Sequence, residues 1–373
     1  MAGLEERFPT WMWRNDAMED FVVWLHSFNQ ARQSAGKLPI QLLGLDIYSL
    51  FRSIDEVIDY LSNAGEAELA NTAERYYSTL SSFRPDPKDY SRALDDRNTE
   101  SQAQNVARVL TSLSRQARRL HKLYGDGDEL FHVLQNARVV AAAEAYFRQS
   151  FMGADVVWKL RDHAFVDRIK DTMTFIEQRK ERGQKARVVV WAHNSHVGDA
   201  LATENAARGV FNMGQMCRQE FGKDHVYIVG FTTHDGTVRA AREWGERDGV
   251  MKLNPSFEGS HEYILHCVAR KRRQNSFAYV FQSNSPQKSS IDETARDVFG
   301  VDRLERFIGV SYDRKRELRS HYSTCRASEQ FDCLFHVDYS TALIVNQVKQ
   351  HKKLETSTVL QYKTEQKGTS RSL

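Results

Sequence analysis

Two histidines three residues apart, His193 and His196, stand with Asn194 and Ser195 directly after the apolar run Val188, Val189, Val190, Trp191. Imidazole changes charge near neutral pH, so one ring can take a proton from water while another gives a proton to a leaving oxygen. Ester hydrolysis needs both transfers. Asn194, or a backbone N–H beside it, can stabilise the oxyanion formed between them. The same histidines could instead bind zinc, with Asp199 or Glu204 supplying a carboxylate, although their spacing is not the four-residue helical spacing of HExxH. In a third reading both rings simply satisfy backbone groups. The residues alone leave these readings open.

An apolar run feeding a polar cluster and then a glycine, Gly198, is the order expected at the carboxyl end of a buried strand, where open α/β sheets bind ligands. Similar short runs predict further strands at 40–45, 226–231, 277–281, 307–311 and 333–337, beside the one at 188–191. Several lack polar alternation, as strands covered on both faces do. Helical spacing predicts a helix over 15–30 capped by Asn15, with Met18, Phe21, Val22 and Leu25 on one stripe. It also predicts a run of helices at 51–63, 66–82, 101–122, 128–149 and 155–180, punctuated by Arg84-Pro-Asp-Pro87 and Gly125-Asp-Gly-Asp128. The expected fold is therefore α/β, a mostly parallel or mixed central sheet flanked by helices, with a large helical insertion. Residues 1–50 and 181–345 form its core, 51–180 the insertion, and 346–373 a polar, disordered tail.

These elements would carry other chemistry-bearing residues to the same rim. Asp46 follows the 40–45 strand and can orient an imidazole or hold substrate, or serve only as a cap; Tyr48 can meet a ligand or pack. Arg161 and Asp162 share a helix, where an ordinary ion pair competes with a site role. His321 and Tyr322 precede the last strand, with ligand contact and structural bonding equally open. Phe8, Trp11, Trp13, Phe21 and Trp24 suggest a packed junction rather than a cofactor box.

The chain has 373 residues, 52 basic against 49 acidic, which gives no general attraction to nucleic acid or to an anionic membrane. The basic run Arg270 to Arg273 reads as a solvated face. Four scattered cysteines, no signal-peptide order and no long apolar stretch lead to the expectation of a cytoplasmic protein. There is no GxSxG elbow, GxxxxGK[ST] loop or GxGxxG fingerprint, so neither an ordinary serine hydrolase nor a nucleotide enzyme is expected, and no cofactor.

Residues 190–198, Val-Trp-Ala-His-Asn-Ser-His-Val-Gly, are followed by Asn212-Met-Gly-Gln215, Phe221-Gly222 and Gly230-Phe-Thr-Thr233. Together with Phe8-Pro-Thr-Trp-Met-Trp-Arg-Asn15, Gly44-Leu-Asp-Ile-Tyr-Ser-Leu50, Leu160-Arg-Asp162, Ile308-Gly-Val310, Ser320-His-Tyr322 and Glu329-Gln-Phe-Asp332, they resemble the erythromycin esterase family. The resemblance implies an α/β core with helices beside the active site and hydrolysis of a small-molecule ester or lactone by histidine-activated water. It maps the paired histidines onto His193 and His196 and implies a cleft-facing position for Arg161; Asn194 and Asp46, read from their places in the sequence, complete the expected site. The family's upstream G-E-x-[ST]-H-G motif has no counterpart here. The resemblance therefore also leads to the expectation of a shortened member, impaired by loss of a glutamate and a base histidine. A non-catalytic binding protein that keeps the fold is the alternative.

Overall fold

The computed structural model describes residues 9–124, 127–179, 183–281 and 297–346. Phe8 and the polar stretch from 347 lie outside the described residues. The chain divides into two compact units, Met1–Pro39 with Leu343–Leu373, and Ile40–Ala342.

In the first unit α1 spans Asp16–Ser34. Asn15 starts it: Oδ1 accepts from Met18 N at 2.9 Å, and Nδ2 donates to Trp11 O at 3.1 Å and Met12 O at 2.7 Å. Asp16 and Glu19 in the first turn and Arg32 in the last complement the helix dipole. Met18, Leu25 and Trp11 are buried, whereas Trp24 is exposed and stacks on Phe28 at 5.2 Å, so the aromatic junction is smaller than the sequence suggests.

The second unit opens with the helical block: α2 (Leu50–Asn63), α3 (Ala67–Ser81), α4 (Lys88–Asp95), α5 (Ala103–Tyr124), α6 (Asp128–Arg148) and α7 (Ala154–Gln178). The 3.6-residue spacing of Leu50, Ile54, Val57 and Leu61 on α2 puts them in one core with Tyr77, Leu80, Val109, Leu113, Val140 and Phe147. The short α4 escaped the sequence reading because its apolar signal is little more than Tyr90, a fully buried ring. Tyr90 Oη donates to Glu144 Oε1 at 2.8 Å and accepts from Gln102 N at 2.9 Å.

After the four-residue turn α8 (Asn194–Val197) and α9 (Met213–Phe221), a four-stranded sheet forms in the order β2-β1-β6-β3, from β1 (Val229–Ala240), β2 (Gly249–Lys252), β3 (Ser276–Val280) and β6 (Cys333–Ser340). The β1/β6 pair is parallel and the outer pairs antiparallel, which makes the sheet mixed. A hairpin of β4 (Arg303–Arg306) and β5 (Tyr322–Cys325) stands apart. Helix α10 (His261–Arg272) packs Leu265 with Leu334, Phe281 and Phe331 on one face of the sheet. The other face carries the registered row Phe231, Phe335, Ala278 and the row Val229, Cys333, Val280; Phe231 is 62% exposed.

Three expected strands need correction. Segments 40–45 and 188–191 join no ladder among the described residues, and Val189 is 96% exposed. An apolar run has the composition of a buried strand, but a ladder also needs a partner backbone, and no described strand runs beside either segment. At 307–311 the ladder lies just before the expected segment, in β4 (Arg303–Arg306), and Ser311 makes only an isolated bridge to Ala241; the Ile308 carbonyl is taken by His193 and the Val310 carbonyl by Ala241 N.

Replacing Tyr90 by Phe leaves the Gln102 N–H without its partner and removes a donor from buried Glu144. Chemical denaturation should show a loss of ~1–3 kcal/mol. An unchanged midpoint would mean that these bonds contribute nothing net.

Candidate active site

His193 caps α8 in extended conformation (φ −64, ψ 150). Its Nε2 lies 3.0 Å from Ile308 O, and a carbonyl only accepts, so that nitrogen carries the hydrogen. Nδ1 then receives the Ser195 N–H at 3.2 Å and the Ser195 hydroxyl at 2.8 Å. Burial, and then the neighbouring His196 ring, push the His193 pKa down to about 4, so the ring is neutral at physiological pH.

Asn194 acts as a short piece of strand. Its Oδ1 accepts from Phe231 N at 3.0 Å while Nδ2 donates to Phe231 O at 2.8 Å and to Glu305 Oε1 at 3.1 Å. Both ends of the amide are thus engaged with β1 and β4. From the other side, Asn212 Nδ2 donates to Ser195 O at 2.8 Å and Gly198 O at 2.6 Å, and its Oδ1 caps α9 through Gln215 N. The Asn212-Met-Gly-Gln pattern is the clamp on this turn. Gly214 is required in it, because a Cβ there would sit 2.0 Å from Val197 O.

The face of α7 meets the same turn. His196 Nδ1 lies 2.8 Å from Oδ1 of Asp162, a fully buried carboxylate whose Oδ2 accepts from Met213 N at 2.7 Å. The bond to Asp162 sets the hydrogen on Nδ1 and leaves Nε2 facing Arg161 Nη1 at 3.4 Å. Trp158 stacks on the imidazole at 4.3 Å with planes 4° apart, and Phe165 meets it edge-on at 5.6 Å. Arg161 grips Asp46 with Nε at 2.9 Å and Nη2 at 2.6 Å, and its guanidinium lies over Tyr48 at 4.7 Å. Tyr48 Oη in turn sits 3.2 Å from Tyr146 Oη.

The structure therefore gathers His196, Arg161 and Asp46 into one connected array, while the His193 ring is turned toward Ile308. Trp158 escaped the sequence reading, though its place one turn before Arg161 and Asp162 was a usable signal. Glu305 carried none: it looks like any charged residue in an exposed hairpin. His321 accepts from Asp313 N at 2.9 Å and the Tyr322 hydroxyl from Phe257 N at 2.9 Å, which are structural bonds.

Metal ligation by this cluster finds little support in the donor geometry. Asp199 is bound by Arg218 at 3.0 Å, and Arg218 also holds Asp332 at 2.9 Å. Among the described residues no group of three or more His, Cys, Asp or Glu side chains is arranged to hold an ion.

Because the folded value for His193 lies below its ordinary 6.5, stability is fully present above that pH and is lost as pH falls toward about 4. Buried His261, also lowered to about 4 by burial, adds to the same loss. Urea midpoints measured from pH 7 to pH 4.5 should fall less steeply in His193→Gln than in the parent. Parallel curves would show that His193 is as easily protonated folded as unfolded.

The profile of the family described as erythromycin esterase matches residues 2–340. Among solved structures, a Bacillus cereus protein superposes with a TM-score of 0.68 at 16% identity, over 89% of this chain and 74% of that one. A succinoglycan biosynthesis protein gives 0.64 at 19% identity, over 90% and 73%. A mutant erythromycin esterase in its open conformation gives 0.55 at 15%, over 88% and 74%. At these identities the structures show a shared α/β fold, and the profile, spanning nearly the whole chain, shows the lineage: the chain belongs to the erythromycin esterase family.

Proposed function

We propose that the protein hydrolyses carboxylic esters or lactones with water activated by a histidine, and that His196 is that histidine. The observation that carries this reading is the array Asp162, His196, Arg161, Asp46. With its hydrogen fixed on Nδ1, His196 has its lone pair at Nε2, where Arg161 Nη1 donates at 3.4 Å and where an incoming water takes over that bond. In the reaction Nε2 takes a proton from water as the oxygen attacks the carbonyl carbon. The buried Asp162 carboxylate stabilises the imidazolium that forms.

Arg161 has Nε and Nη2 committed to Asp46, and Nη1, released from His196 by the incoming water, offsets the charge growing on the carbonyl oxygen. The imidazolium then returns its proton to the leaving alkoxide, giving acid and alcohol with no change in the enzyme. Asp46 orients the guanidinium. Asn194 holds the turn rather than the substrate, since its amide is already bonded at both ends. His193, neutral and tied to Ile308, supports the geometry and can pass a proton only through Ser195.

Membership of the family supports an esterase-like hydrolase acting on a small molecule. No described helix is long and apolar enough to cross a membrane. A cytoplasmic setting and a macrolide lactone as substrate stand as parts of the proposal.

Assayed against activated esters and lactones, His196→Ala should lose kcat by about 10²–10⁴-fold, the range for removal of a positioned base. Asp162→Asn should lose kcat with little change in KM. Turnover that survives His196→Ala, or no turnover by folded parent protein across the panel, would sink the reading.

A further inference from the structure

Beneath the histidine turn lies a buried polar cluster that the proposed reaction does not use. Glu305 on β4 is 1% exposed. Its Oε1 accepts from Asn194 Nδ2 at 3.1 Å and its Oε2 from the Cys325 thiol on β5 at 3.0 Å; the Gln330 amide hydrogen-bonds to it as well. A second buried carboxyl, Glu262 at the start of α10, accepts from Arg306 N at 2.8 Å through Oε1, while its Oε2 has no partner. His261 Nδ1 and Gln330 Oε1, both in fully buried residues, also lack partners. The guanidinium on the same strand, Arg306, is committed to Glu317 at 3.0 Å and to the carbonyls of Thr233, His234 and Asn254.

The groups that act on Glu305 are therefore Glu262 from α10, Cys325 from β5, Gln330 from the turn that follows β5, and Asn194 from α8, while His261, next to Glu262, bonds to the Cys325 carbonyl at 3.1 Å. None of them brings a positive charge at neutral pH: burial lowers the His261 pKa to about 4. Of the two buried carboxyls only Glu262 feels a cation, Arg306, so they cannot both ionise cheaply and Glu305 is the one that keeps its proton. Burial, and then Glu262, push the Glu305 pKa up to about 8 against the three donors.

We infer that Glu305 is a positioning residue for the His193–His196 turn: held as a neutral acid, it anchors the Asn194 amide against β1, and loss of its proton loosens that turn. The inference rests on the reading of this turn as a reaction centre only for its effect on rate. Ionised, Glu305 accepts more strongly from the Asn194 amide but is a buried charge repelled by Glu262, and that strain is relieved by admitting water beneath the turn. The folded value lies above the ordinary 4.5, so stability is full below that pH and is lost as pH rises through about 8.

The test compares parent, Glu305→Gln and Glu262→Gln by hydrogen exchange of a peptide covering 193–198, corrected for intrinsic rates, and by urea unfolding, between pH 6 and pH 9. In the parent the unfolding equilibrium should shift against the folded state by up to about tenfold per pH unit below pH 8. Exchange in the turn should rise above pH 8. Both dependences should flatten in Glu305→Gln. Equal slopes in parent and Glu305→Gln, or flattening only in Glu262→Gln, would overturn the inference. Infrared spectra of the parent alone should show a protonated carboxyl band at pH 7 that is lost by pH 9, and its absence at pH 7 overturns the inference even if a variant fails to fold. If esters are turned over, the alkaline fall in kcat/KM should vanish in Glu305→Gln. Absence of any turnover counts against the hydrolase reading and leaves the exchange, unfolding and infrared results to decide this one.

Discussion

The Asp162 carboxylate is the interaction on which the candidate site depends. Fully buried, it gives one oxygen to His196 Nδ1 and the other to Met213 N, and so fastens three pieces of chain at one point: helix α7, the turn after residue 193 and the start of α9. A buried anion needs such donors to offset its desolvation, so it cannot be removed or moved without freeing all three. Trp158 and Arg161 reach the imidazole from the same helix face, which makes α7 the rigid support of the array.

A second layer of amides holds the turn itself. Asn194 bonds to the Phe231 backbone as a neighbouring strand would, and Asn212 gathers the carbonyls of Ser195 and Gly198. The polar residues between the histidines thus fix position more than they present chemistry outward. The two histidines differ accordingly: one is locked by a carbonyl and a hydroxyl, the other is oriented by a carboxylate and exposes its second nitrogen to a cation.

Much of this was legible in the residues. The helices α2, α3 and α5 to α7, the β3 and β6 runs and the capping role of Asn15 follow from periodicity and side-chain type, which act locally. The segments at 40–45 and 188–191 could not be judged that way, because pairing is decided by another part of the chain. Likewise the types of His193 and His196 suggested proton chemistry, but their division of labour follows from Ile308 and Asp162, which are 115 and 34 residues away. Glu305 was invisible for the same reason, since its burial is a tertiary property.

The parallel pairing of β1 with β6 has a kinetic side. Ile228 N reaches the Asp332 carboxylate across 104 residues of sequence, and the β1/β6 ladder begins beside it. Closing so long a loop costs entropy before any contact offsets it, whereas the helical block is built from neighbours in sequence. The helices should assemble first and the sheet last. Until β6 arrives, β1 carries Phe231 and Val229 with an unoccupied hydrogen-bonding edge, and this interval is when the nascent protein is most exposed to association with other chains.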